Sequence, residues 1–277
     1  LDKQHFRKSN EAMNNVQAKN LQALIFDVDG TLADTERDGH RVAFNRAFEQ
    51  AGLDWHWSVD LYGDLLQVTG GKERIRFFLR KYQSDFNLPV NADEFIAGLH
   101  QSKTDIYTEM LAQGAIPMRP GVTRLLREAR DDGLRLAIAT TTTPANVSAL
   151  LQYSLAKDAE SWFEVIAAGD VVPAKKPAPD IFQVALQKLE LPPEACLAFE
   201  DSRNGILSAR GAGLETIVTV NEYTRGDDFD AALLVLDHMG EPDLPFTVLQ
   251  GDAGNSSYLD VGLLRSLHAR SLVSEAG

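Results

Sequence analysis

Cysteine is almost missing from this chain. Cys196 is the only one in 277 residues, which excludes an internal disulfide and a zinc site built from several thiolates. A lone thiol fits a reducing compartment. Long hydrophobic runs are missing too, since no apolar stretch approaches the roughly 20 residues that span a bilayer. Positive charge is short: 27 Lys+Arg stand against 40 Asp+Glu, for a formal net charge of −13. So acidic a surface is repelled by nucleic-acid phosphates and anionic lipid, so neither nucleic acid nor membrane is an expected partner. Nothing repeats at solenoid spacing. The first twenty residues, Leu1 to Asn20, hold neither the apolar core of a secretory signal nor apolar periodicity, and they carry acids that a transit peptide avoids. They are expected to form a disordered lead-in, with Met13 a candidate natural start.

What the chain does have is core material, 44% hydrophobic residues, enough for one large domain or two modest ones. From Leu21 onward, short apolar runs alternate with amphipathic stretches, the pattern of an α/β protein with a mostly parallel sheet. Leu21 to Phe26, Leu134 to Ala139, Phe163 to Ala168 and Ala195 to Phe199 are short and apolar enough to be strands buried on both faces. Polar residues follow each run: Asp27, Thr140, Gly169-Asp170 and Glu200-Asp201. Ligands of open parallel sheets bind beyond the carboxyl ends of the strands, so these groups are expected in one crevice.

Residues 35–118 read differently. Val42, Ala43, Phe44, Ala47 and Phe48 share one helical face, Ile75, Phe78, Leu79 and Tyr82 follow i, i+3, i+4, i+7 spacing, and no buried strand intervenes. A stretch of roughly 85 residues is too long for a crossover connection, and an inserted helical domain is expected, with Trp55 and Trp57 in its packing. The organisation predicted is a lead-in at 1–20, an α/β core from 21–34 and 119–245, the helical insert at 35–118, and a C-terminal extension at 246–277 with a short docking helix near Ser256 to Arg270.

The decisive local motif is Asp27-Val28-Asp29-Gly30-Thr31-Leu32, directly after an apolar run. Two carboxylates two residues apart can both face a reacting centre where the chain turns out of a strand, and Gly30 frees the backbone to turn. An ordinary Asx-turn is the alternative for this fragment alone. Glu200-Asp201 ends another apolar run and, beside Asp27 and Asp29, makes a cluster of acids that repel one another without a cation. Oxygen ligands without a nearby His or Cys set point to a hard ion, Mg2+ before others. Lys176, before Pro177, either lies on a surface loop or offsets repulsion between Asp27 and an anionic substrate. Thr140 either caps the next helix with its threonine neighbours or holds a phosphoryl oxygen, with Thr141 and Asn146 as further candidate substrate contacts.

Taken together, DVDGT, a Thr after an apolar strand, a Lys-Pro and an ED after a strand, in that order over about Leu21 to Val220, resemble the haloacid dehalogenase superfamily of phosphotransferases. The resemblance implies a Rossmann-like three-layer core with a parallel sheet and an inserted α-helical cap. It implies Asp27 as the nucleophile that forms an aspartyl-phosphate, and Asp29 as the acid that protonates the leaving oxygen and then activates water. Thr140 and Lys176 would grip the phosphoryl group. Asp27, Asp201 and the backbone carbonyl of Asp29 would hold Mg2+, with Glu200 in support.

Specificity is expected from the insert. Thr69-Gly70-Gly71-Lys72-Glu73-Arg74 opens a helix whose glycines let backbone approach a ligand and whose Lys72 and Arg74 can take an anion. The alternative is an ordinary helix start with solvated charges, Lys72, Arg76 and Arg80 forming an exposed basic stripe. Glu36, His40 and Arg41 are candidates for sugar hydroxyls or a second phosphate. ADTERDGHR, DLYGDLLQVTGGKERI, ATTTTPANV, LDHMGEP and YLDVGLLRSLH are similar to CbbY-like sugar-phosphate phosphatases, which remove the 1-phosphate of xylulose-1,5-bisphosphate, an inhibitor of Rubisco. Gly39 makes the Thr35-to-His40 spacing one residue longer than in the related β-phosphoglucomutases.

The expected activity is therefore a Mg2+-dependent sugar-bisphosphate phosphatase. The alternatives are a phosphomutase, or a phosphatase for another small sugar phosphate, and more remotely a non-catalytic metabolite-binding regulator. A monomer is expected, in the cytoplasm or, for a photosynthetic eukaryote, the plastid stroma. Cap opening to admit substrate and closure to exclude water are expected of the insert.

Overall fold

The computed structural model describes residues 20–68 and 70–274. The expected lead-in thus lies, apart from Asn20, outside the described residues, as does Thr69 of the glycine-containing segment. Two compact units emerge: Asp34–Pro117, one residue earlier at each end than the expected insert, and the α/β unit on either side of it in sequence.

The α/β unit is built on seven strands in the order β3-β2-β1-β4-β5-β6-β7. They are β1 (Ala23–Phe26), β2 (Arg135–Thr140), β3 (Val165–Ala168), β4 (Cys196–Glu200), β5 (Glu215–Thr219), β6 (Leu234–Leu236) and β7 (Val248–Gly251). All pairings are parallel except β6 with β7. The apolar runs pack on both faces, as parallel strands must. Ala23, Ile25, Ala137, Ala139, Cys196 and Ala198 bury one face in a single cluster with a helix at Asp180–Leu189. On the other strand positions Phe26 stacks on Phe199, with ring centroids 4.4 Å apart. Burial pushes the Cys196 thiol up to about 12, so it is an inert core residue.

The chain beyond residue 245 completes this unit, where an extension was expected. β7 closes the sheet edge and a helix at Val261–Ser274 buries Leu264 and Leu267, while His268 Nε2 donates to the Glu194 carbonyl at 2.8 Å. β7 left no buried-strand signature because Val248 and Leu249 stay 39% and 49% exposed; backbone pairing with β6 and the Gln250 side chain, which donates to the Phe229 carbonyl at 3.0 Å, hold the strand. No helix among the described residues is long and apolar enough to cross a membrane.

The Asp34–Pro117 unit contains helices at Arg41–Gln50, Val59–Leu65, Gly71–Tyr82 and Ala92–Ala112. Its core is aromatic: Trp57 is fully buried, its ring centroid 4.6 Å from that of Phe44 and 4.9 Å from that of Phe48. A π-helical turn, Thr35–His40, precedes the first helix. Absorbing one extra residue in a wide turn keeps the apolar face of the following helix in phase, and Gly39 is the residue that permits it here. A Cβ at Gly39 would lie 2.7 Å from both Ile116 and Tyr107.

Candidate active site

Register assembles the site. Phe26 pairs with Phe199, so the next residues, Asp27 and Glu200, emerge side by side at the ends of β1 and β4. This is where the chain, having laid β2 and β3 on one side of β1, returns to lay β4 on the other, the crevice position of open α/β sheets. Thr140 ends β2 and is buried, its Oγ1 accepting the Thr142 N–H at 3.3 Å. Thr141 is exposed and Asn146 half-buried in the helix that follows at Pro144–Leu150.

Lys176 comes from the loop after β3 and donates to Asp27 Oδ1 at 2.6 Å and Glu200 Oε1 at 2.5 Å. Burial works against its charge, but Asp27 and then Glu200 outweigh it and hold the ammonium well above its ordinary value. Glu200 is pushed up by burial, against the pull of Lys176 and with the push of Asp27. Asp201 is raised by burial and by the like charges of Asp27 and Glu200. One ammonium therefore faces three buried carboxylates whose nearest oxygens lie within 4.8 Å of one another. That surplus of negative charge, carried on oxygen alone, is what a hard divalent cation neutralises, so Asp27, Glu200 and Asp201 fit Mg2+.

Close packing tightens the cluster. A Cβ on Gly205 would stand 1.8 Å from Glu200 Oε2, so only glycine lets the helix at Arg203–Gly211 start against that carboxylate. Gly30, at φ +88°, turns the chain out of the acidic motif. Arg119 is buried and bolts that turn to the far strands. Its Nη1 donates to the Gly30 carbonyl and, at 2.9 Å, to that of Thr219; its Nη2 donates to Val220 at 2.5 Å and Asp237 at 2.8 Å. Asn221 Nδ2 donates to Asp201 Oδ2 at 2.7 Å.

Within the helical unit, the Tyr62 hydroxyl donates to Glu36 Oε2 at 2.5 Å and accepts from Arg74 Nη1 at 2.7 Å. His40 Nδ1 is 2.8 Å from Lys103 Nζ, which also lies 5.2 Å and 5.1 Å from the ring centroids of Phe44 and Tyr107. Burial first, then the Lys103 and Arg74 charges, outweigh Glu36 and lower His40 to about 4. Glu36 resists its own burial because His40, Arg74 and Tyr62 favour its charged form. Arg41 is engaged inside the unit, donating to the carbonyls of Arg37 at 3.1 Å and Trp57 at 3.2 Å.

The glycine-containing segment differs from expectation. Lys72 is exposed whereas Arg74 turns inward, because residues two apart face different sides of a helix. Gly70 is the helix N-cap at φ +95°, and Gly71 gives its space to His100, whose ring would lie 2.4 Å from a Cβ there. In the alternative reading, an exposed basic stripe of Lys72, Arg76 and Arg80, the middle charge is paired, Arg76 with Asp93 at 2.8 Å.

Sequence reasoning missed Tyr62, Lys103, Arg119, Asn221 and Gly205. For Lys103 a signal existed: it sits on the stripe of Ile96, Leu99, Ile106 and Met110, a lone cation on an apolar helix face. Asn221 and Arg119 carry no local signal, since their partners are distant in sequence; Gly205 lies only five residues after Glu200, but the contact exists only once β4 turns into the following helix.

A family model described as haloacid dehalogenase-like hydrolase matches residues 21–213. The chain is similar to protein CbbY of Rhodobacter capsulatus, 56% identical over 212 residues, covering 76% of this chain and 91% of that one. Among solved structures it resembles a variant of CbbY from Rhodobacter sphaeroides in complex with xylulose-1,5-bisphosphate, at 46% identity and TM-score 0.65, covering 79% and 94%. It also resembles a putative β-phosphoglucomutase from Thermotoga maritima, at 28% identity and TM-score 0.60, covering 76% and 89%.

Proposed function

Since the chain belongs to the haloacid dehalogenase-like hydrolases and is a phosphatase of the CbbY-like group, we propose that it removes the 1-phosphate of xylulose-1,5-bisphosphate with Mg2+ through an aspartyl-phosphate. The observation that carries the reading is the buried set of Asp27, Lys176, Glu200 and Asp201 at the strand ends.

Asp27 attacks phosphorus in line with the ester oxygen. The P–O bond to the sugar breaks, and Asp29, two residues on, gives its proton to the departing oxygen. Asp29 then takes a proton from water, whose oxygen attacks the aspartyl-phosphate, releasing inorganic phosphate and restoring the Asp27 carboxylate. Lys176 holds Asp27 Oδ1 in place with a charge-assisted hydrogen bond of 2.6 Å, while Thr140 offers a hydroxyl to the phosphoryl group. Mg2+, when bound to Asp27, Asp201 and the Asp29 carbonyl with Glu200 in support, supplies charge stabilisation to a phosphoryl group that passes through a loose transition state. We assign recognition of the rest of the sugar bisphosphate to Glu36, His40, Arg41, Gly70, Gly71, Lys72 and Arg74 in the helical unit, joined by Tyr62 and Lys103, and to Thr141 and Asn146.

The test is a phosphate-release assay over sugar mono- and bisphosphates, with Mg2+ and with EDTA. Xylulose-1,5-bisphosphate is expected to be turned over fastest, only with Mg2+, yielding the 5-phosphate and free phosphate. Turnover undiminished by EDTA, or retained by Asp27→Asn, overturns the mechanism. Return of phosphate to the sugar in place of release makes the enzyme a mutase.

A further inference from the structure

Beyond the four expected runs, a further strand ends in polar side chains at this edge of the sheet: β5 ends at Thr219 and Asn221 follows two residues later. Asn221 is pinned at both ends of its amide. The Tyr223 N–H, which can only donate, lies 2.9 Å from Asn221 Oδ1; the NH2 end therefore faces Asp201 Oδ2, 2.7 Å away. Its own backbone is tied as well, with the Asn221 N–H donating to Thr224 Oγ1 at 3.1 Å and the preceding carbonyl, of Val220, accepting from Arg119 at 2.5 Å. The Asp201–Asn221 bond is roofed by the motif turn: a Cβ on Gly30 would fall 2.3 Å from Asp201 Oδ2 and 2.6 Å from Asn221 Nδ2.

We propose that Asn221 is a positioning residue that sets how Asp201 faces the divalent ion, and with it the preference of the site for Mg2+ over a larger cation such as Ca2+. The inference rests on Asp27, Glu200 and Asp201 being the Mg2+ site. Asp201 cannot be oriented by another acid, and a second lysine would neutralise the charge that attracts the ion. A neutral N–H donor does neither. It fixes one oxygen of Asp201 while leaving the charge in place. Mg2+ demands a nearly ideal octahedron and Ca2+ tolerates irregular ones, so a loosened carboxylate costs Mg2+ the more.

The experiment is calorimetric titration of Mg2+, and separately Ca2+, into the full chain without substrate, for the wild type, Asn221→Ala, Asn221→Ser and Thr224→Val. Loss of such an outer partner weakens metal binding by about 10–100-fold in other sites. Asn221→Ala is expected to weaken Mg2+ by at least about tenfold and Ca2+ by less than about threefold, with kcat recovering at saturating Mg2+. Thr224→Val, which loosens the loop and keeps the amide bond to Asp201, is expected to leave Mg2+ affinity unchanged. Should Asn221→Ala not fold, Asn221→Ser removes the same N–H and is read in the same way. Unchanged Mg2+ affinity in the Asn221 variants, equal losses for both ions, or an equal loss in Thr224→Val overturns the assignment. A wild type that binds no Mg2+ overturns the metal reading beneath it, which separates the two failures.

Discussion

Removing the Lys176 ammonium should destabilise the α/β unit more than any surface charge could. Its Nζ stands 2.6 Å and 2.5 Å from two carboxylates, and the three side chains are only 9%, 9% and 1% exposed. Breaking a buried ion pair by deleting one partner costs about 3–5 kcal/mol, because the remaining charge stays buried without its counter-charge. Lys176→Met keeps most of the volume and removes that counter-charge. For a domain of 150–250 residues each kcal/mol moves the melting temperature by about 2–4 °C, so in EDTA the variant should melt about 6–20 °C below the wild type. The deficit should widen above about pH 7, where Glu200 of the wild type ionises. Burial and Asp27 raise Glu200 above its ordinary value despite Lys176, and it rises further without the lysine. At low pH the folded state then binds the proton and carries less unpaired charge. Mg2+ should recover part of the loss, and by more than it stabilises the wild type, because the cation then faces acids with no competing ammonium. Adding Glu200→Gln should cost less in Lys176→Met than alone, the sign of direct coupling. Melting scans with and without EDTA at three pH values decide the matter. A Lys176→Met chain as stable as the wild type in EDTA at pH 7.5 refutes the claim that this lysine balances the acidic cluster.

Gly205→Ala should lose stability even though alanine is the better helix former by about 1 kcal/mol. The added Cβ, 1.8 Å from Glu200 Oε2, must push that carboxylate off Lys176, an overpacking cost of about 1–3 kcal/mol that melting scans and a fall of more than about tenfold in phosphate release would register. A stabilised, fully active Gly205→Ala would show that the contact relaxes freely. His40, lowered from 6.5 to about 4, stays neutral in the folded helical unit while the unfolded chain protonates it. Its contribution is complete above pH 6.5 and is lost as the pH falls toward 4, amounting to about 3 kcal/mol at 1.36 kcal/mol per unit. Acid titrations followed by Trp55 and Trp57 fluorescence should show this slope in the wild type and not in His40→Gln; identical slopes would remove His40 as the cause.

Much of the fold was legible because its signals are local. Four apolar runs of strand length announced β1 to β4, and the helical periodicity of Phe44 and Phe78 marked the insert. β6 and β7 were not read: β6 is three residues long, and β7 exposes its apolar side chains on a sheet edge. In the helical unit, Lys72 and Arg74 could be named together from sequence but not told apart. Only helix phase against the Tyr62 hydroxyl turned Arg74 inward and left Lys72 in solvent.

By itself the sequence determined the chemical inventory: a paired-acid motif with its turn glycine, a threonine, a lysine before proline and a second acid pair, each placed after an apolar run. Adjacent residues and short periods encode such things because one strand or one helical turn spans only a few residues. Tertiary structure alone decided which charge balances which. Lys176 meets Asp27 across 149 positions and Asn221 meets Asp201 across 20, through strand order and register that no neighbouring residues record. The net charge of −13 therefore describes the surface. The chemistry lies where the register of β1 and β4 sets buried acids side by side, with one ammonium between two of them and room in charge for a divalent ion.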